Sequence, residues 1–413
     1  MVAPFLPDPE KFAAIRAALP ALSAGIYLNT GSVGPLPAET AAAMTEIAAR
    51  ERDVGRADRG WIDELPMRMA EARAGVAAIL GTDVDAVALT HSTTDAMNAG
   101  TLALDWGSGG RIVTSRSEHP GLLGPLYALR DRHRGGVELV FVDAGADGDD
   151  ARTIAAFDAA ITPATRLVAI SHVLWTTGAV MPVAAIADIA HARGAVFSLD
   201  GAQAAGAIPF RFDATGADLY AVPAQKWLLG PEGMGALVVA PGIADRLRPG
   251  LGGNYSFERN DSNGMAGWWP DARRFEASNY HRPSVVGMAR SLGWLSMYVG
   301  LEFIYRTGTA RSLAMAGRLA SIPGVSVLTP IDRMATLLTF RIAGWTAEAA
   351  LEELGARVFA IARTITSLDA LRISVGFFNS DEELERLAGA VQLLASHTPE
   401  TLPPRRLTIL TDE

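Results

Sequence analysis

Between residues 80 and 240 the sequence alternates short apolar, β-rich runs with longer stretches of helical periodicity, and no other feature constrains the fold as strongly. The runs are VDAVALT near residue 87, RIVTSR at 111–116, VELVFVD at 137–143, TRLVAISH at 165–172, AVFSLDG at 195–201, LYAVPA at 219–224 and GALVVA at 235–240. Their intervals hold patterns such as PGLLGPLYALRDRH and PVAAIADIAHARG. The second opens on Pro182 and closes on Gly194, the residues that helix-end chemistry favours at start and stop. Parallel neighbours in a sheet need a crossover, and a helix is the usual one, so this repetition predicts an α/β domain around a mainly parallel sheet.

The rhythm fails over residues 241–285, where Gly, Asn and aromatic residues crowd a stretch that reads as a long loop region, too polar for a core. It resumes near residue 286 with helix and strand patterns of a smaller α+β domain. The expected division is an N-terminal arm over 1–25, a large α/β domain over 26–285 and a small domain over 286–413. The tail TPETLPPRRLTILTDE is expected to be loosely attached.

A net charge of −9 argues against a protein whose work is neutralising nucleic-acid phosphates. The start MVAPFLPDPEKF lacks the basic head and apolar core of a signal peptide, and no stretch supplies about 18 uncharged apolar residues. A cytoplasmic chain with neither nucleic acid nor membrane as partner is expected. With no cysteine at all, disulfides, thiolate metal sites, iron–sulfur clusters and thiol nucleophiles are excluded, and no metal site is expected.

Three segments carry chemistry. Ser92-Thr93-Thr94-Asp95 comes after a strand and opens a helical run, where free backbone N–H groups and the helix dipole suit a phosphate; a plain N-cap is the alternative. Asp200 closes the run AVFSLD, so its carboxylate could pair with a protonated pyridine nitrogen, with Gln203 within reach of a ring hydroxyl; it could equally cap the next helix. Lys226 stands between LYAVP and WLLG, poorly hydrated and therefore easier to deprotonate for imine formation, unless it snorkels to the surface.

In this order, the segments TTDAMN, SEHPGLL, SHVLWTTGAVMPV, SLDGAQAAG and AQKWLLGPEGMG resemble the class V branch of fold-type I pyridoxal-phosphate (PLP) enzymes. That branch includes cysteine desulfurases, kynureninases, isopenicillin N epimerase-like proteins and cysteine/cystine carbon–sulfur lyases. The resemblance runs from about Tyr27 to Leu387. It implies an α/β fold of the fold-type I PLP-dependent transferase kind, with a large domain on a mainly parallel mixed sheet and a smaller C-terminal α+β domain.

It also assigns residues. Lys226 matches the Schiff-base lysine, Asp200 the partner of the ring nitrogen, Gln203 the neighbour of the ring hydroxyl and His119 the imidazole stacked on the ring. Thr93 and Thr94 match the phosphate cradle. Arg274 to Asn279 resembles a loop that reaches the phosphate of the other subunit, with Ser278 and Asn279 as its contacts, which implies a homodimer. Gln225 stands where many relatives have His, Pro223 where a hydroxyl often binds phosphate, and Trp175 where desulfurases place Asn. Phosphate binding should therefore lean on Thr94, Gln225 and the partner loop.

Arg372 matches the carboxylate-binding arginine, and Arg363, nine residues earlier, resembles the second arginine of the cystine lyase branch, which helps hold another charged part of a long substrate. The run Tyr27 to Gly34, with Asn29 and Gly31, resembles the segment lining the substrate pocket.

Without cysteine the desulfurase route through an enzyme persulfide is closed. The first expectation is α-proton removal by Lys226 and then β-elimination of a thiolate. Epimerisation, transamination and decarboxylation or oxidative deamination use nearly the same groups and stay open, as does a catalytically inert scaffold. The stretch Asn254 to Trp269, with Trp268 and Trp269, is expected to act either as a lid or partner-pocket wall or as an anchored surface loop.

Overall fold

A computed structural model describes residues 8–277 and 279–405. Helix α1 (Asp8–Ala17) and the short strand β1 (Ile26–Tyr27) precede two long helices, α2 (Ala38–Val54) and α3 (Arg59–Leu80). Then come β2 (Val87–Thr90), α4 (Thr93–Leu102), β3 (Gly110–Ser115), α5 (Pro120–Arg132), β4 (Val137–Val142), α6 (Asp150–Ala160), β5 (Thr165–Ser171), α7 (Val183–Ala192), β6 (Val196–Asp200), β7 (Leu219–Pro223) and β8 (Gly235–Val239). Each of the seven apolar runs read from the sequence is a strand, and all seven join one sheet in the order β2-β8-β7-β6-β5-β3-β4.

Strands β3 to β7 pair in parallel, whereas β8 runs antiparallel to both β7 and β2. The exception has a local cause. Only a helix-free turn, the one holding Lys226, separates β7 from β8, so the chain doubles back instead of crossing over. Every residue of β6, β7 and β8 is buried, which is why these runs are continuously apolar and do not alternate. This arrangement puts the carboxyl ends of β2, β3, β5, β6 and β7 on one edge, and Thr93, His119, Trp175, Asp200 and Lys226 sit at or just beyond those ends.

Residues 241–285 are more ordered than a polar loop. They contain three short 3-10 turns, the antiparallel hairpin of β9 (Phe257–Asn260) and β10 (Ala266–Trp268), and the first turn of α8 (Arg282–Gly293). The stretch also contributes Ile243, Leu247, Ala272 and Phe275 to a core cluster, because widely spaced apolar residues suffice to anchor turns that have no periodicity of their own.

Beyond a π-helical turn lie α9 (Leu301–Ala320), β11 (Val325–Val327), β12 (Leu337–Ile342), α10 (Ala347–Val358), β13 (Ala360–Ile361), β14 (Arg363–Ile365), β15 (Ala370–Ser374) and α11 (Asp381–Ala395). Strands β11, β12, β15 and β14 form a second, antiparallel sheet, and β1 pairs in parallel with β13. Ile26 and Leu28 pack in the core of the second sheet, while α8, the π-helical turn and the start of α9 bury Met288, Leu292, Trp294 and Phe303 in the core of the first. The tail is tied down as far as it is described: Pro403 accepts a hydrogen bond from Arg357, and Arg405 pairs with Glu353 at 2.9 Å. No helix among the described residues is long and apolar enough to cross a membrane.

Candidate active site

At the carboxyl edge of the large sheet, Thr93, His119, Asp200, Lys226, Arg363 and Arg372 bound a cavity of ≈ 250 Å³. One end is built for an anion. Ser92 caps α4 with its Oγ accepting from the Asp95 N–H at 3.0 Å, which leaves the first backbone N–H groups of the helix without intrahelical partners. Thr93 Oγ1 is buried with no hydrogen-bond partner among the described residues and can donate to an anion, and Gln225, which lines the same cavity, can donate from its amide NH2. Gly121, in the first turn of α5, lies so near Thr94 Oγ1 that a Cβ would collide with it. Two helix N-termini thus meet at one point, where their dipoles favour negative charge.

The middle is set by Asp200, Gln203, His119 and Lys226. Asp200 is 5% exposed and accepts from the Ala202 N–H at 2.8 Å. Burial raises its pKa, and the nearby Lys226 charge opposes the rise. Lys226 is pushed down to about 8, first by burial, against the pull of Asp200, and further by Arg372 and Arg363. Gln203 is oriented by its neighbours: Oε1 accepts from Trp227 Nε1 at 3.0 Å, and Nε2 donates to the Gly31 carbonyl at 2.8 Å.

His119 is the N-cap of α5, and its Nδ1 accepts from the Gly121 N–H at 3.0 Å. The proton of the neutral ring therefore sits on Nε2. Burial, then the charges of Lys226, Arg363 and Arg372, lower its pKa to about 4, so the ring is uncharged at neutral pH. Trp175 meets it edge-on at 5.2 Å.

The far end is cationic. Arg372 is 1% exposed and donates to the Trp175 carbonyl at 2.8 Å, and its Nε has no partner among the described residues. Burial and the charge of Arg363 bring it down to about 9, still protonated at neutral pH. The Arg363 guanidinium lies 5.6 Å from the Trp175 ring centre. Both arginines donate to Ser32 Oγ, at 3.3 Å from Arg363 and 3.4 Å from Arg372.

Lys226, His119, Asp200, Thr93, Thr94, Gln203, Gln225, Gly31, Trp175, Arg363 and Arg372 all line this cavity. Asn29 stands behind it, accepting from Ser32 Oγ at 2.8 Å. Asn279 is elsewhere: it is exposed, and its carbonyl faces His91 Nε2 at 3.1 Å. Ser278 lies outside the described residues. Trp268 packs on Phe257 and Trp269 beneath Arg273, and neither lines the cavity of its own chain. Ser32 and Gly121 are cavity residues that the sequence analysis did not single out. Ser32 lies inside the run Tyr27 to Gly34, where a hydroxyl beside the expected pocket residue Gly31 is the available signal.

A cavity that calls for a dianion at one end, a protonated ring nitrogen against a buried carboxylate in the middle and a carboxylate at the other meets the demands of pyridoxal phosphate carrying an amino acid. Thr93 Oγ1, Gln225 and the open turn of α4 fit the cofactor's phosphate, Asp200 its ring nitrogen and Lys226 its carbonyl carbon. The fold and site are those of a fold-type I PLP enzyme. The chain belongs to the class-V aminotransferase family, whose model matches residues 26–387, and PLP is its cofactor.

Among curated relatives, the isopenicillin N epimerase of Streptomyces clavuligerus is 31% identical over 389 residues, covering 89% of this chain and 94% of that protein. A probable cysteine desulfurase of Methanothermobacter thermautotrophicus is 28% identical over 330 residues, covering 79% of this chain and 80% of its own length. Among solved structures, the cystine C-S lyase C-DES in complex with its product cysteine persulfide superposes with a TM-score of 0.84 at 26% identity, covering 91% of this chain and 99% of that one. A lysine-to-alanine mutant of C-DES with glycine covalently linked to the PLP cofactor gives a TM-score of 0.85 at 26% identity, covering 91% of this chain and 98% of that one.

Proposed function

We propose that this protein is a PLP-dependent carbon–sulfur β-lyase acting on cysteine, cystine or a cysteine S-conjugate. The observation that carries the reading is the pair Arg363 and Arg372, whose acceptors among the described residues include no carboxylate, in one cavity with a desolvated lysine in a chain that has no cysteine. The similarity to the cystine lyase C-DES supports it.

Bound PLP supplies an electron sink for the pair left on the substrate's α-carbon. In this reading Lys226 removes the α-proton, and a pKa near 8 leaves its amine an effective base at cellular pH. Arg372 holds the α-carboxylate, and Arg363 holds that group or a second anionic one. Asp200, kept from water, holds the proton on the ring nitrogen. His119 offers an uncharged flat face and adds no repulsion to a site that already has three cations. Loss of the α-proton and of the Cβ–S bond, with uptake of one water, yields a thiol or persulfide, a keto acid and ammonia. A homodimer in the cytoplasm belongs to the same reading; the exposed Asn279, which does not line the cavity of its own chain, would in it serve the cavity of the partner.

A second reading, epimerisation at the α-carbon, is favoured by the isopenicillin N epimerase relative, which aligns over most of both chains. One experiment separates the two: the PLP-loaded protein is incubated with cystine, several cysteine S-conjugates and ordinary amino acids, and the products are read by mass spectrometry and chiral chromatography. A keto acid with free thiol or persulfide supports elimination. An epimer, an aldehyde or an amino-transferred product refutes it.

A further inference from the structure

Ser32 Oγ is the acceptor that the two guanidinium groups share. A hydroxyl has one proton and two lone pairs. Here the proton goes to Asn29 Oδ1 at 2.8 Å, which turns the lone pairs toward Arg363 and Arg372. The turn that carries Ser32 is fastened on several sides. The Gly31 N–H donates to Ser374 Oγ at 3.0 Å, the Gly31 carbonyl accepts from Gln203, and the Gly34 N–H donates to the Gln225 carbonyl at 2.7 Å. Ser32 is therefore fixed relative both to the residues facing the cofactor and to strand β15.

The two arginines depend on it unequally. Arg372 is buried and has the Trp175 carbonyl as a second, shorter anchor. Arg363 is half-buried, and its other acceptor is the carbonyl of the adjoining Thr364 at 3.3 Å. Without the serine hydroxyl, repulsion from Arg372 and the pull of solvent would both turn Arg363 outward.

We infer that Ser32 is a specificity-determining residue of this site: its hydroxyl keeps Arg363 turned inward beside Arg372, so that the pocket offers a substrate two guanidinium groups instead of one. The inference rests on the reading of the cavity as an amino-acid site, and it deepens that reading by making two-anion substrates the preferred class.

The test uses the PLP-loaded full-length protein and measures binding of glutarate, a dicarboxylate, and propionate, a monocarboxylate, by isothermal titration calorimetry. Both lack an amine and sulfur, so the outcome does not depend on which reaction the enzyme performs, and a failed elimination assay would leave this test standing. Ser32→Ala is expected to weaken glutarate about five- to tenfold and propionate less than about twofold, the scale of one lost charge-assisted hydrogen bond. Ser32→Thr should bind like the wild type. Arg363→Ala should show the same selective loss, and the double variant Ser32→Ala/Arg363→Ala should be no worse than Arg363→Ala alone, because both changes remove one interaction. Ser32→Gly replaces Ser32→Ala if the latter does not fold. The idea is overturned if the wild type fails to favour glutarate, if Ser32→Ala or Ser32→Gly titrates like the wild type, or if the two single losses multiply in the double variant.

Discussion

Arg363 and Arg372 face each other across the antiparallel pair β14–β15 as direct cross-strand partners. Like charges so placed destabilise a sheet, and their acceptors are hydroxyl and carbonyl oxygens, which do not neutralise them. In the proposed function, stability is given up at this point for anion binding. Arg363→Ala should therefore leave the melting temperature unchanged or raise it, by up to about 1 kcal/mol of stability, while raising KM roughly tenfold with kcat little altered. Calorimetry and steady-state kinetics on one preparation check both halves; a destabilised variant with unchanged KM would contradict the assignment.

Replacing Arg372 by lysine keeps the charge but loses the planar fork and the hydrogen-bond geometry to the Trp175 carbonyl. We expect KM to rise by about two orders of magnitude, and more than for Arg363→Ala, since a two-point grip on the carboxylate becomes a point charge. Equal KM values for the two variants would place the α-carboxylate elsewhere.

The large domain is legible in the sequence because its central strands are buried along their whole length, so the apolar runs in VFSLD and LYAVP stand out. The site is legible for a related reason: Asp200 ends one such run and Lys226 comes soon after another, where the end of a strand fixes a side chain's position. Other contacts have no such marker. Ser32 meets Arg363 and Arg372 across more than 300 residues of chain, a contact without periodicity or local spacing to announce it. The turns between residues 241 and 285 read as loop because their buried residues, Ile243, Leu247 and Phe275, are too far apart to make a pattern.

Asp200→Asn should keep the bond from the Ala202 N–H while removing the charge. The Asp200 charge raises the pKa of Lys226, so its loss should lower that pKa below about 8. The same change should weaken the hold on the ring-nitrogen proton and reduce kcat by roughly two to four orders of magnitude, the range for losing a group that assists proton transfer. The pH dependence of Lys226 acylation in the cofactor-free protein, set beside kcat of the loaded one, tests both effects. An unchanged Lys226 titration would mean that the two side chains do not share a field.

Glu118 gives a prediction about stability and pH. Its Oε1 accepts from Ser115 Oγ at 2.6 Å, and its Oε2 accepts from the Ser171 N–H at 2.8 Å and from Ser171 Oγ at 2.5 Å. Ser171, at the end of β5, is the register partner of Asp200, at the end of β6, so the two buried acids lie on either side of the β5 end. Burial raises the Glu118 pKa to about 7, the serine bonds oppose the rise, and the Asp200 charge adds to it. A carboxyl whose pKa is higher folded than unfolded contributes stability that is complete below the unfolded value and lost as pH rises through the folded one. Between pH 4.5 and about 7 the native state therefore binds the extra proton, and stability should fall with rising pH by at most about 1.4 kcal/mol per unit from this group. Glu118→Gln stays neutral throughout and should remove that slope, becoming the more stable of the two above about pH 7. Half-buried His119 and buried His172, with lowered pKa values, push stability the other way as pH falls, but they are common to both proteins and cancel in the difference. Urea unfolding of wild type and variant at half-unit steps from about pH 4.5 to about pH 8 measures it; parallel curves would show that Glu118 keeps the same charge across that range.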